Sequence, residues 1–208
     1  MLIQGSVGQP STTSIQPGTT PTIRQGQLGD VIVSELHGRY YETAYRRNLF
    51  AAAVQGTGIT TSVDLVTAYT GLALTNPTSS TVNLVLTKVG YAFNAAPAAV
   101  MHISLAFNTS TTAVTQTTAI TGRNLFLGGA SPQGLTASSV TFPTAPIRTH
   151  VLGVVGTNAI TALSNTPTLV DLEGSIVMPP GSYIAIVTST ASAATSFFGS
   201  FQWEEVPV

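Results

Sequence analysis

Asp171 and Glu173 are the carboxylates whose spacing could support acid/base chemistry. Side chains two apart on a strand share a face, so both are expected to project together. Glycoside hydrolysis uses two carboxylates held across a bond. Two exposed neighbours on one strand face are more commonly just solvated, and no catalytic role is assigned to them. The three histidines, His37, His102 and His150, are far apart in sequence. None has a second histidine or a carboxylate at the spacing a metal site needs. Cysteine is absent, which removes disulfides and thiolate sites. Gly56-Thr57-Gly58 suggests a turn rather than a phosphate loop, and Ser131, in Gly-Gly-Ala-Ser-Pro, lacks the nucleophile-elbow pattern. Asn108-Thr109-Ser110 matches a glycosylation sequon, idle without a secretory signal, and Met1 to Gly8 shows none. With no converging titratable cluster, the chain is expected to be no enzyme and to hold no metal or cofactor.

The remaining polar chemistry is concentrated. Of the fifteen charged residues, seven lie between Arg24 and Arg47, and only Asp64, Lys88, Arg123 and Arg148 fall between Asn48 and Val170. Within the dense stretch, Arg39, Tyr40, Tyr41, Tyr45, Arg46 and Arg47 form the candidate partner interface. Tyrosine and arginine dominate interface hot spots because they combine large contact area with several hydrogen bonds. Three arginines offset by Glu35 and Glu42 are too few for nucleic-acid binding. The segment from Gly38 to Phe50 supports a helix through Tyr41, Tyr45 and Leu49 at i, i+4 and i+8 and through the Glu42–Arg46 pair. Alternation supports a strand equally, and the tyrosine content favours the strand.

The rest of the chain must position this stretch. Charged residues make up 7% of it, against roughly 25% in ordinary soluble proteins. Thr and Ser, 52 of the 208 residues, keep the surface wet instead. A net charge of -1 gives no long-range field, and close packing between chains is favoured. No apolar run is long enough for a membrane helix. Residues 1–29, rich in Gly, Pro, Gln, Ser and Thr, predict an extended arm, with Leu2, Ile3, Val7, Ile15 and Ile23 as its apolar anchors. Residues 30–208 predict one β domain. Val31-Ile32-Val33 opens it. Leu72–Leu74 and Val82–Lys88, flanking the turn chemistry of Asn76–Ser80, predict a hairpin. Met101–Phe107, His150–Val155, Leu169–Met178, Tyr183–Thr188 and Phe197–Val206 are further strands. Pro180-Gly181 predicts a type II turn. Phe197, Phe201 and Trp203 share one face, and Glu204-Glu205 cap it with charge. No sequence repeat is evident. Many short strands with Thr/Ser/Gly/Pro turns imply an antiparallel β-sandwich or barrel.

The strings ELHGRYYETAYRRNLF, LTNPTSSTVNLVL, VMPPGSYIAIVTSTA and FQWEEVPV resemble β-rich virion structural proteins of tailed bacteriophages. The group they are most similar to is the small capsid decoration, or cement, proteins, from about Arg24 to the C-terminus. That resemblance implies a jelly-roll sandwich and a homotrimer or similar oligomer seated on a major capsid protein in the virion. The N-terminal arms would bridge capsomers, and assembly would occur in the host cytoplasm. A tail or fibre module binding surface glycan is the alternative, and a small-virus single jelly-roll capsid protein is a third. For the third, Arg24 alone makes a poor RNA-binding arm.

Overall fold

Among the described residues, period-two alternation builds eleven strands between Leu49 and Pro207. The computed structural model describes residues 5–7, 23–25, 38–156 and 168–208. The chain divides into two units, Met1–Arg39 and Tyr40–Val208. In the first, β1 (Gly5–Val7) and β2 (Ile23–Gln25) pair in parallel as a sheet of their own. The expected strand at Val31–Val33 lies outside the described residues.

The second unit begins with α1 (Tyr41–Tyr45) and β3 (Leu49–Ala53). There follow β4 (Ala68–Thr75), β5 (Val82–Phe93), β6 (Met101–Thr109), β7 (Thr115–Ile120) and β8 (Arg123–Asn124). The series ends with β9 (Leu135–Thr141), β10 (Ile147–Val155), β11 (Thr168–Met178), β12 (Ser182–Thr188) and β13 (Phe197–Pro207). They form two sheets, in the orders β10-β6-β12-β4-β9-β7 and β11-β5-β13-β3-β8, with every pairing antiparallel. The fold is a β-sandwich, as the alternation predicts. Its core interleaves Leu72, Leu74, Met101, Ile103, Leu105, Ile184 and Ile186 from one sheet with Leu84, Leu86, Val89, Phe197, Phe201 and Trp203 from the other.

Pro180 and Gly181 make the expected turn. Gly181 has φ +84°, and Ser182 N–H donates to Pro179 O at 3.1 Å. A side chain there would also strike Ser110 O at 2.5 Å, so only glycine fits. The expected hairpin is corrected. β4 lies in the six-stranded sheet and β5 in the other, so residues 76–81 arch across the core. Fully buried Asn76 holds this arch, its Nδ2 donating to Val82 O at 2.8 Å and Met178 O at 2.9 Å. Each bond saturates a carbonyl at the end of a facing strand, which a hairpin would have paired locally.

A second apolar layer covers the outer face of the six-stranded sheet. Phe142 stacks between Tyr69 and Tyr183, with centroids at 5.6 and 4.7 Å. Tyr69 folds over Gly71, whose φ of +134° and missing side chain make room for the ring, and its hydroxyl donates to Ile186 O. Full burial pushes the Tyr69 phenol far above its ordinary pKa. Arg148 on β10 pairs with Asp64, so two of the four charges in the body lock a loop over this layer.

Candidate interface

Residues 38–50 are a short helix followed by a strand, which overturns the expected strand. The i, i+4 spacing of Tyr41 and Tyr45 holds, and Leu49 falls beyond the helix in β3. Arg47 sets the boundary, with φ +66°. Its N–H donates to Ala44 O at 3.0 Å, and Asn48 N–H donates to Thr43 O at 3.1 Å. Together these form a Schellman stop, a position usually given to glycine. A left-handed arginine costs roughly 1 kcal/mol, and such strain clusters at functional positions.

What holds Arg47 there is Phe126. The guanidinium lies over that ring at 4.7 Å, a cation–π contact. Tyr45 meets Phe126 edge-on at 6.5 Å, and Tyr41 stacks on Tyr45 at 5.9 Å. α1 buries no residue, and Tyr41 and Tyr45 are exposed. The four side chains thus form one continuous aromatic–cationic surface rather than a lid on the core.

The other predicted residues face elsewhere. Tyr40 turns onto the five-stranded sheet, donating its hydroxyl to Asp171 Oδ1 at 2.6 Å, and Lys88 Nζ sits 5.0 Å from its ring centroid. Arg46 pairs with Glu42 at 2.8 Å on the exposed side, a contact worth about 0.3–0.5 kcal/mol. Arg46 also acts on Glu204. Burial raises the Glu204 carboxyl pKa, and the Arg46 charge partly offsets this. Arg46→Ala is therefore expected to move the Glu204 midpoint further up. NMR titration of the Glu204 side-chain carbon reads this directly, and an unmoved or lowered midpoint would contradict the assignment. Arg39 is exposed in the turn that ends the first unit. Val7 and Ile23 lie in β1 and β2. Leu2, Ile3 and Ile15 fall outside the described residues.

Asp171 and Glu173 are both exposed, at alternate positions of β11. β11 carries a register shift between Asp171 and Ile176, with Glu173 at φ +55° and Gly174 at +78°. Asp171 Oδ1 accepts the Glu173 N–H at 2.9 Å, so its carboxylate stabilises the bulge. Among the described residues no group of three or more His, Cys, Asp or Glu could hold a metal ion.

Sequence reasoning missed Asn124, Phe126 and Leu127. Asn124 ties the segment after β8 to the helix end. Its Nδ2 donates to Arg47 O at 2.7 Å, and its Oδ1 accepts the Phe126 N–H at 2.8 Å. Gly129 N–H then donates to Phe126 O at 2.8 Å, with Gly128 at φ +85°. Leu127 is left at the tip of this tight turn, 90% exposed. A signal was present. Arg-Asn-Leu-Phe occurs at 47–50 and again at 123–126, and the two copies lie antiparallel, Phe50 opposite Asn124. The expectation of no repeat is corrected to that extent.

No family model, curated protein or solved structure matches this chain.

Proposed function

We propose that this chain is a virion structural protein that decorates a phage capsid as an oligomer, built on a jelly roll. The observation that carries the reading is strand order. Setting β7–β9 aside as an insertion leaves eight strands. Numbered one to eight along the chain, they stand in the orders 6-3-8-1 and 5-4-7-2. Two Greek keys wrapped into facing sheets give this order, and that architecture recurs in viral capsid and lectin domains. The resemblance of the strings quoted above supports the viral member of the pair. The nearly uncharged body suits close packing on a shell, and the aromatic–cationic surface beside α1 has hot-spot composition.

A decoration protein spreads modest contacts over several shell subunits, because each further contact made by an oligomer is intramolecular. The arm extends this reach at up to about 3.3 Å per residue. Among the described residues, β1 and β2 pair with each other in a sheet of their own. Deleting residues 1–23 is therefore expected to leave a folded, soluble oligomer that no longer co-sediments tightly with undecorated shells of the parent phage. Unfolding of the truncated chain, or undiminished decoration, counts against the arm. Cryo-electron microscopy of the parent particle tests the whole reading: density on the shell supports it, and density on a tail or fibre replaces it with the glycan-binding alternative. The place to look for such a ligand is a cleft of about 90 Å³ lined by Thr75, Thr78, Thr112 and Gln116 together with Pro77, Val114 and Leu135.

A further inference from the structure

Exposed apolar residues gather on the two opposite lateral edges of the sandwich. At one edge, β10 and β11 each have a single neighbour among the described strands. They carry Ile147, Val151, Val154, Leu169 and Val177, each 55–66% exposed. Between these strands lies a cleft of about 260 Å³ lined by Phe107, His150, Ile176, Val177, Met178 and Tyr183. At the other edge, beyond β8, stand Leu125 and Leu127, with Tyr41 and Tyr45 joined to them through Phe126. Each group exposes on the order of a few hundred Å² of apolar surface, the scale at which patches mark interaction sites.

We infer that the two edges bind each other between copies of this chain, head to tail, with Leu127 of one copy seated in the β10/β11 cleft of the next. The inference rests on the oligomer reading above and names its contact. A foreign partner would account for one edge and leave the other apolar edge open. A second copy accounts for both, and in doing so covers strand edges that otherwise template aggregation.

The knob is built to be presented. Asn124 and the Gly128-Gly129 turn fix its backbone, so little ordering cost remains on binding. The cleft is more than wide enough for a leucine side chain. The edges also differ in sign, with Arg47 and Arg123 exposed on one, Asp171 and Glu173 on the other. Lys88, the cross-strand neighbour of Asp171, reduces this difference without cancelling it.

Knob and cleft are level across the five-stranded sheet. Leu125 N–H donates to Leu49 O at 2.8 Å, Leu49 stands opposite Glu204, Glu204 opposite Val85, and Val85 opposite Val177. The two contact sites thus end one row running across the five-stranded sheet. A heterologous contact closes into a ring where its rotation closes and winds into a filament where it does not; a level contact adds no shift along the strands.

Because the chain has no cysteine, disulfide trapping tests the contact cleanly in the full-length protein. Leu127→Cys/Val177→Cys, oxidised or treated with a short bis-maleimide, should give a covalent ladder that extends past the dimer, up to the oligomer size that light scattering gives. An equal mixture of the two single variants should stop at covalent dimers, and each single variant alone should stay uncrosslinked. Leu127→Asp should weaken association at least tenfold by light scattering, with the far-UV spectrum unchanged. Self-crosslinking of a single variant would overturn the head-to-tail contact. So would absence of crosslinks in a protein that light scattering shows to be oligomeric. A chain that is monomeric at tens of micromolar would instead sink the oligomer reading itself.

Discussion

Trp203→Ala should lower the unfolding free energy by about 3–5 kcal/mol, at the upper end for a core truncation. Trp203 is fully buried and stacks on Phe50 at 6.1 Å. It also floors two loops. A side chain built on Gly122 would lie 3.2 Å from its ring, and one built on Gly134 would lie 3.1 Å from its Nε1. Backbone packed that closely cannot slump into the vacated space without breaking its own hydrogen bonds, so the cavity persists and the full cost is felt. Domains of this kind hold only about 5–15 kcal/mol in total, so the variant should lose a large fraction of its stability. Urea unfolding followed by circular dichroism measures this, since the variant lacks the only tryptophan of the chain. A loss under about 1.5 kcal/mol would show that the loops do relax.

Glu205→Leu should cost about 2–4 kcal/mol, because two buried N–H donors lose their acceptor at about 1–3 kcal/mol each, offset in part by relief of carboxylate desolvation. Glu205 is 8% exposed. Its Oε1 accepts the Gly134 N–H at 2.9 Å and the Trp203 Nε1–H at 3.2 Å, and its Oε2 accepts the Gln133 N–H at 3.1 Å. Gln133 in turn accepts through Oε1 from the Thr81 N–H at 3.0 Å, in the arch between β4 and β5. Leucine fills the volume and leaves the Gly134 and Trp203 donors unsatisfied. Glu205→Gln keeps one acceptor oxygen and should lose only about 1 kcal/mol. Here Trp203 fluorescence serves as the readout. Equal destabilisation by Gln and Leu would show that charge, not hydrogen-bond acceptance, is what the site uses.

The sequence placed Glu204-Glu205 as a charged cap on an apolar stripe, and the structure changes that reading. Odd-numbered residues of β13 face the core, so Glu205 follows Trp203 inward while Glu204 faces outward under Arg46. Alternation along Phe197, Phe201 and Trp203 already implied this parity. The missing piece was a set of donors on residues 133–134, which sequence spacing does not reveal. The same limit explains the tyrosine–arginine stretch. Its composition marked an interaction surface. Phe126, which gathers Tyr45 and Arg47, comes from a loop 79 residues beyond Arg47 in the chain, brought there by the pairing of β3 with β8.

Local physics is legible from one chain. Period-two runs marked strands at Met101–Phe107, Tyr183–Thr188 and Phe197–Val206. Proline's locked φ and glycine's tolerance of positive φ specified the turn at Pro179–Ser182, and the sum of such segments specified an antiparallel sandwich. Partner choice was not legible. Every strand offers the same N–H and C=O groups to its neighbours, so alternation says which residues share a face and not which strands share a sheet. Tertiary packing alone sent β4 and β5 to different sheets, bulged β11 between Asp171 and Ile176, and left β10, β11 and the Leu127 turn at the edges. Among the described residues, those edges carry much of the apolar surface left to bury.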